Sequence, residues 1–60
     1  MKTIMAMAQQ KAEELRQMIT RMDIQYNFRM GEYAACVWYT DGSEWLINDS
    51  GACVKRKEGI

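Results

Sequence analysis

Two thiols and a few carboxylates are the side chains of this sequence that could do covalent or acid–base chemistry. Cys36 and Cys53 are its two cysteines, and the chain has no histidine that could activate either one. A nucleophilic thiol needs an adjacent base or a cationic neighbour, and no carboxylate or lysine stands at a recognisable spacing from these cysteines. We therefore predict that the protein is not an enzyme.

The residue types that bind metals do not form a known pattern either. Two cysteines without a Cys-x-x-Cys pair and without histidine cannot supply a zinc site of four ligands within one chain. Asp41, Glu44 and Asp49 do not follow the calcium-loop pattern, so we interpret the aspartates as turn residues and Glu44 as a solvated charge. We predict no metal and no cofactor.

Aromatic and basic residues are the remaining candidates for binding. Rings that stack on bases, with cations that follow the phosphates, form the platform of single-strand nucleic-acid-binding proteins. The candidate binding residues are Trp38, Trp45, Arg29, Lys55 and Arg56. Eight basic and eight acidic side chains cancel, however, and no ribonucleoprotein-type motif is present. Nucleic-acid binding is therefore our second choice, behind binding of a protein.

An amphipathic helix is predicted over residues 4–22, because apolar residues recur there on one side at helical spacing. The stripe consists of Ile4, Met7, Ala8, Ala12, Leu15, Met18, Ile19 and Met22. Residues 24–30 alternate apolar and polar side chains, which indicates a half-buried strand, although the helix could also continue through Tyr26.

A β-hairpin is predicted around Asp41-Gly42, because two runs rich in aromatic and β-branched residues flank this pair. A two-residue type I′ loop would place Trp38 opposite Trp45 and Val37 opposite Leu46. Both faces of the sheet would then be apolar. A second turn over 48–51 leads into a fourth, edge-like strand over 52–56 that ends in basic residues.

The link between the first two strands has two alternatives. A Gly31-Glu32 loop would put Tyr26 and Phe28 on the face of Val37, whereas a three-residue turn over 29–31 with a left-handed glycine would put them beside the tryptophans. We favour the second alternative, because Gly31 then stands where positive φ is needed. In the predicted hairpin register, either plausible length of the second turn places Cys36 and Cys53 on opposite faces of the sheet, so we expect two free thiols.

The prediction is a single α+β domain over residues 1–60, with an N-terminal helix packed on a three- to four-stranded antiparallel meander. A helix can cover only one apolar face, so we expect the other face to bind a second copy or a target protein. No stretch is long enough for a membrane span, and we expect a cytoplasmic protein. The predicted function is a small non-catalytic interaction module, of the regulator or inhibitor kind found in mobile elements and phages, that forms a homodimer. Which face the helix covers stays open.

Overall fold

The computed structural model describes residues 2–59, with side chains for 3–59, as one helix followed by four strands. The helix is α1 (Lys2–Leu15), and the strands are β1 (Ile19–Asn27), β2 (Glu32–Tyr39), β3 (Glu44–Asn48) and β4 (Cys53–Lys57). The strands form one antiparallel sheet in the order β1-β2-β3-β4. The predicted α+β fold with a helix and a β-meander is confirmed.

The helix ends seven residues earlier than the predicted boundary at Met22, because the chain turns at Arg16. Arg16 has a φ of 57°, and its N–H donates to the Glu13 carbonyl at 3.1 Å. The next N–H, of Gln17, donates to the Ala12 carbonyl at 2.9 Å, which completes a Schellman cap. The predicted continuation of the helix to Met22 is therefore wrong.

Strand β1 takes up the end of the predicted helix and most of the predicted strand over 24–30. The β-branched pair Ile19-Thr20 suits a strand better than a helix interior. The strand stops at Asn27, whose Oδ1 accepts hydrogen bonds from the backbone N–H groups of Arg29 and Met30 at 3.0 and 3.2 Å. Residues 24–27 are thus strand as predicted, and 28–30 are not.

The β1–β2 loop differs from both predicted alternatives, since it consists of residues 28–31 and places Asn27 opposite Glu32. Gly31 has a φ of 68° and donates its N–H to the Asn27 carbonyl at 2.8 Å. The favoured three-residue turn is wrong, although the expected positive φ of Gly31 is confirmed. Tyr26 lies opposite Tyr33, on the sheet face of Val37.

The β2–β3 hairpin exists as predicted, but its loop has three residues, 40–42, instead of two. Tyr39 and Ser43 close the hairpin, since the Tyr39 N–H donates to the Ser43 carbonyl at 3.1 Å. A type I′ turn would require positive φ at both Asp41 and Gly42. Gly42 has a φ of 88°, but Asp41 is not among the described residues with positive φ. The predicted type I′ turn is therefore wrong, and a turn with a left-handed glycine replaces it.

One extra loop residue shifts the pairing of the two strands by one position. Val37 lies opposite Trp45 and Trp38 opposite Glu44, so the two tryptophans point to opposite faces of the sheet. The predicted pairs of Trp38 with Trp45 and of Val37 with Leu46 are wrong. A one-residue slip reverses the face of every side chain of one strand relative to the other.

The helix packs on the sheet face that carries Val37 and Trp45. The buried apolar side chains are Ile4, Ala8, Ala12, Ala35, Val37, Tyr39 and Ile47. Half-buried residues of the same cluster include Ile19 and Met22, which reach it from β1 rather than from the helix. Within residues 2–59, no helix has the length and apolar character needed to cross a membrane.

Candidate interaction surface

The sheet face opposite the helix is here called the outer face. By register it carries one side chain in two from each strand. Its members are Arg21, Asp23, Gln25, Asn27, Glu32, Ala34, Cys36, Trp38, Glu44, Leu46, Asn48, Val54 and Arg56. The described helix lies on the other side of the sheet, so these side chains have no layer of secondary structure over them.

An apolar strip runs across the middle of the outer face. Cys36 lies opposite Leu46, and Leu46 lies opposite Val54, so three neighbouring strands contribute to it in one row. Cys36 and Leu46 are half-buried, and Val54 is 55% exposed. Ala34 lies next to this row on β2, and its small side chain does not cover the strip.

A shallow cavity of about 190 Å³ lies over this strip. Its lining combines the apolar strip with polar groups from both edges of the sheet. The lining residues are Asp23, Gln25, Ala34, Cys36, Leu46 and Arg56. An acid on β1 and a cation on β4 therefore stand on opposite sides of an apolar floor.

Trp38 is held in place at one end of the outer face. Its Nε1 donates to Glu44 Oε1 at 2.9 Å, and the Arg21 guanidinium lies 4.9 Å from the ring centroid. A cation over an indole ring stabilises its position by about 0.5–1 kcal/mol at an exposed site. The ring is thus fixed before any partner arrives, which lowers the entropy cost of binding.

Trp45, the second predicted binding tryptophan, lies on the helix side. Its Nε1 donates to the buried Ser43 hydroxyl at 3.1 Å. The ammonium groups of Lys11 and Lys55 lie 4.6 and 5.4 Å from its ring centroid. Lys55 also pairs with Glu58 at 3.2 Å. Trp45 therefore contributes to the contact between helix and sheet, through Lys11, and Lys55 lies over the same ring from β4.

The structure does not bring the five predicted binding residues together. Trp38 and Arg56 lie on the outer face, whereas Trp45 and Lys55 lie on the helix side. Arg29 lies in the loop over 28–31, at the other end of β2 from Trp38. At about 3.3 Å per residue, the six residues from Glu32 to Trp38 separate the two positions by roughly 20 Å.

A cluster of exposed aromatic rings at the β1–β2 hairpin was not among the predicted sites. Tyr26 makes edge-to-face contacts with Phe28 and with Tyr33, each with ring centroids 5.0 Å apart. Phe28 is 89% exposed. In the sequence, the alternation of Tyr26 and Phe28 indicates that both belong to a strand. In the structure the strand ends at Asn27, so Phe28 lies in the loop, and the sequence pattern alone does not show this.

The two cysteines lie on opposite faces and are free thiols, as predicted. Cys53 lies on the helix side, where burial raises the pKa of its thiol. A nucleophilic thiol needs a lowered pKa, so the environment of Cys53 disfavours covalent catalysis. No group of three or more Cys, Asp and Glu side chains of the described chain is placed to hold a metal ion.

Asp41 and Tyr39 also have shifted pKa values with structural causes. Hydrogen bonds from the Ser43 hydroxyl and N–H lower the pKa of Asp41, at 2.6 and 2.9 Å from its Oδ1. Burial raises the pKa of Tyr39 to about 12, and the nearby charges of Cys53 and Glu14 act in the same direction. Asp41 holds the hairpin loop through these hydrogen bonds, and the Tyr39 hydroxyl donates to the Ala8 carbonyl of the helix at 2.9 Å, so both shifts have structural explanations.

Comparisons of the chain with protein-family models, with curated proteins and with solved structures find no match.

Proposed function

We propose that this chain is a small non-catalytic module that binds the surface of a target protein through its outer face, and so acts as a regulator or inhibitor. The observation that carries the proposal is the apolar strip of Cys36, Leu46 and Val54, which lies in a row on the side of the sheet that the helix leaves uncovered. Apolar strips with a polar rim are typical of protein contacts.

The charges beside the strip favour a protein partner. Asp23 and Arg56 line the same cavity from opposite edges and carry opposite charges. A surface that carries both charges favours one orientation of a partner with the complementary charges, which gives specificity. The ring of Trp38, held by Glu44 and Arg21, supplies the rigid aromatic anchor that protein interfaces often use.

Self-association and a cytoplasmic location belong to the same proposal. A chain of 60 residues has a thin core, and a second copy would add buried area to it. The free thiols Cys36 and Cys53 suit a reducing compartment.

Affinity capture from a lysate of the source organism, read by mass spectrometry, tests the use of the outer face. Val54→Lys places a charge at the end of the strip, and Met5→Lys places the same charge on the helix surface at a similar exposure, 52% against 55%. We expect one specific protein to be retained by the wild type and by Met5→Lys and to be lost with Val54→Lys. Retention of the same protein by a folded Val54→Lys variant would contradict the proposal.

Nucleic-acid binding is the second candidate, favoured by the cations Arg21 and Arg56 on the same face as the Trp38 ring. Salt dependence separates the two functions, because phosphate contacts make affinity fall steeply with added salt and apolar contacts do not. Binding of a single-stranded oligonucleotide that weakens steeply with salt, and that Arg56→Ala reduces, would favour this candidate.

A further inference from the structure

Strand β1 is an edge strand, and its backbone polarity can be worked out from the hairpin. Within β2, Tyr39 donates its N–H to Ser43, and Tyr33 accepts from the N–H of Asp49. Odd-numbered residues of β2 therefore bond to β3, and even-numbered ones bond to β1. Residues 21, 23 and 25 of β1 pair with residues 38, 36 and 34, so their backbone groups point into the sheet.

The alternate residues of β1, Met22, Ile24 and Tyr26, consequently direct their N–H and C=O groups to the open edge. No strand of residues 2–59 pairs with that edge. The register of β1 is irregular between Ile19 and Arg21, so its regular edge consists of residues 21–27, and such an edge is a template for pairing with another chain unless something blocks it.

The two edges of the sheet differ in their protection. Strand β4 has five residues, three of which are the consecutive cations of residues 55–57. Such a row of like charges repels a second copy of itself. Strand β1 carries one cation, Arg21, and one acid, Asp23, and the sequence has no proline to interrupt it.

We propose that two copies of the chain pair through β1, antiparallel about a two-fold axis at Met22. This inference rests on the self-association part of the proposed function and names its interface. With Met22 opposite its own copy, Arg21 lies opposite Asp23 of the second chain, and Asp23 lies opposite the second Arg21. Both pairs lie on the outer face, where opposite charges on paired strands attract.

Neighbouring registers lack this complementarity. An axis at Arg21 places two cations opposite each other, and an axis at Asp23 places two acids opposite each other, which destabilises the pairing. An axis at Ile24 leaves Asp23 opposite the amide of Gln25. An axis that falls between two residues would turn one copy over. The outer face of one sheet and the helix face of the other would then lie on the same side of the joined sheet. Charge therefore selects Met22 as the centre.

The pairing joins two four-stranded sheets into one and keeps both outer faces open. In the dimer, the β1 side of each cavity, which carries Asp23 and Gln25, lies next to the β1 side of the cavity in the second copy. Val54 of each copy lies on β4, at the edge of the sheet away from the dimer interface. A target protein with two equivalent contact patches would bind such a dimer more tightly than a single copy, without any new kind of contact.

Charge exchange tests the register on the full chain. Sedimentation equilibrium at micromolar concentration compares the wild type with Arg21→Asp, with Asp23→Arg and with the double variant that carries both changes. Each single variant places like charges opposite each other at both ends of the interface, and the double variant restores opposite charges. We expect the single variants to dimerise about tenfold more weakly or worse, and the double variant to recover.

Several results would overturn the inference. A dimer that neither single variant weakens has its interface elsewhere, and the self-association part of the proposed function would survive. A double variant as weak as the single ones would show that Arg21 and Asp23 act within one chain, for example through the contact of Arg21 with Trp38. A wild type that sediments only at 7.0 kDa would refute both the register and self-association. The affinity capture with Val54→Lys tests target binding independently of these results on dimerisation.

Discussion

Replacing Tyr39 with phenylalanine should remove the hydrogen bond that ties the helix to the sheet. The Tyr39 hydroxyl donates to the Ala8 carbonyl at 2.9 Å, and the side chain is 2% exposed. A buried hydrogen bond of this kind stabilises a fold by about 1 kcal/mol. We therefore expect Tyr39→Phe to lower the free energy of unfolding by about 1 kcal/mol near neutral pH.

The same substitution should remove a sensitivity to alkaline pH. The pKa of Tyr39 is raised from 10.0 to about 12 in the folded chain. Between these values only the unfolded chain releases the phenolic proton, so the wild type loses stability as pH rises. At pH 11, about one unit above the unfolded pKa and one below the folded pKa, the loss is about 1.4 kcal/mol.

Urea denaturation of the two proteins, followed by circular dichroism from pH 8 to pH 11.5, measures both effects. The two proteins differ only in the hydroxyl of residue 39, so the pH dependence of the difference between them reports on that hydroxyl and its surroundings. We expect the stability advantage of the wild type to shrink above pH 10, to vanish before pH 11 and to be slightly reversed at pH 11. A constant difference across the range would show that the Tyr39 hydroxyl ionises as freely in the fold as in the unfolded chain.

Three further outcomes follow from local geometry. Gly42→Val should destabilise the fold by more than about 1 kcal/mol in urea, because a β-branched residue resists the positive φ found there; an unchanged midpoint would refute the assigned turn. Gly59→Ala should lower the melting temperature, because a Cβ at this position would lie 2.8 Å from the backbone oxygen of Asp41; an unchanged value would mean that this contact does not form. Iodoacetamide should modify Cys36 before Cys53, because burial raises the pKa of the Cys53 thiol; peptide mapping that finds the reverse order would contradict the assigned faces.

The secondary structure could be predicted from the sequence because its signals are local. The aromatic and β-branched runs around Asp41-Gly42 indicate a hairpin whatever the length of the loop. The end of the helix carries no such signal, since Arg16 occupies the left-handed position that glycine usually takes. Ile19 and Met22 fit the helical stripe and also reach the core from β1, so periodicity alone could not separate the two.

The candidate site could be predicted only in part, because it depends on strand register. Asp-Gly suits both a type I′ loop and a longer loop with a left-handed glycine, and the two differ by one residue. The hydrogen bonds of Asp41 to Ser43 accompany the longer loop. That single residue moves Trp45 under the helix and leaves Trp38 on the outer face.

The central claim is that the outer face is the surface that contacts a partner. Photo-crosslinking in cells, with benzoylphenylalanine at position 54 or at position 5, tests this most directly. Val54 lies at the end of the apolar strip, away from the proposed β1 interface, and Met5 lies on the helix surface at similar exposure. We expect an adduct heavier than two chains of 7.0 kDa from position 54 and none from position 5. An adduct from position 5 with none from position 54 would contradict the account.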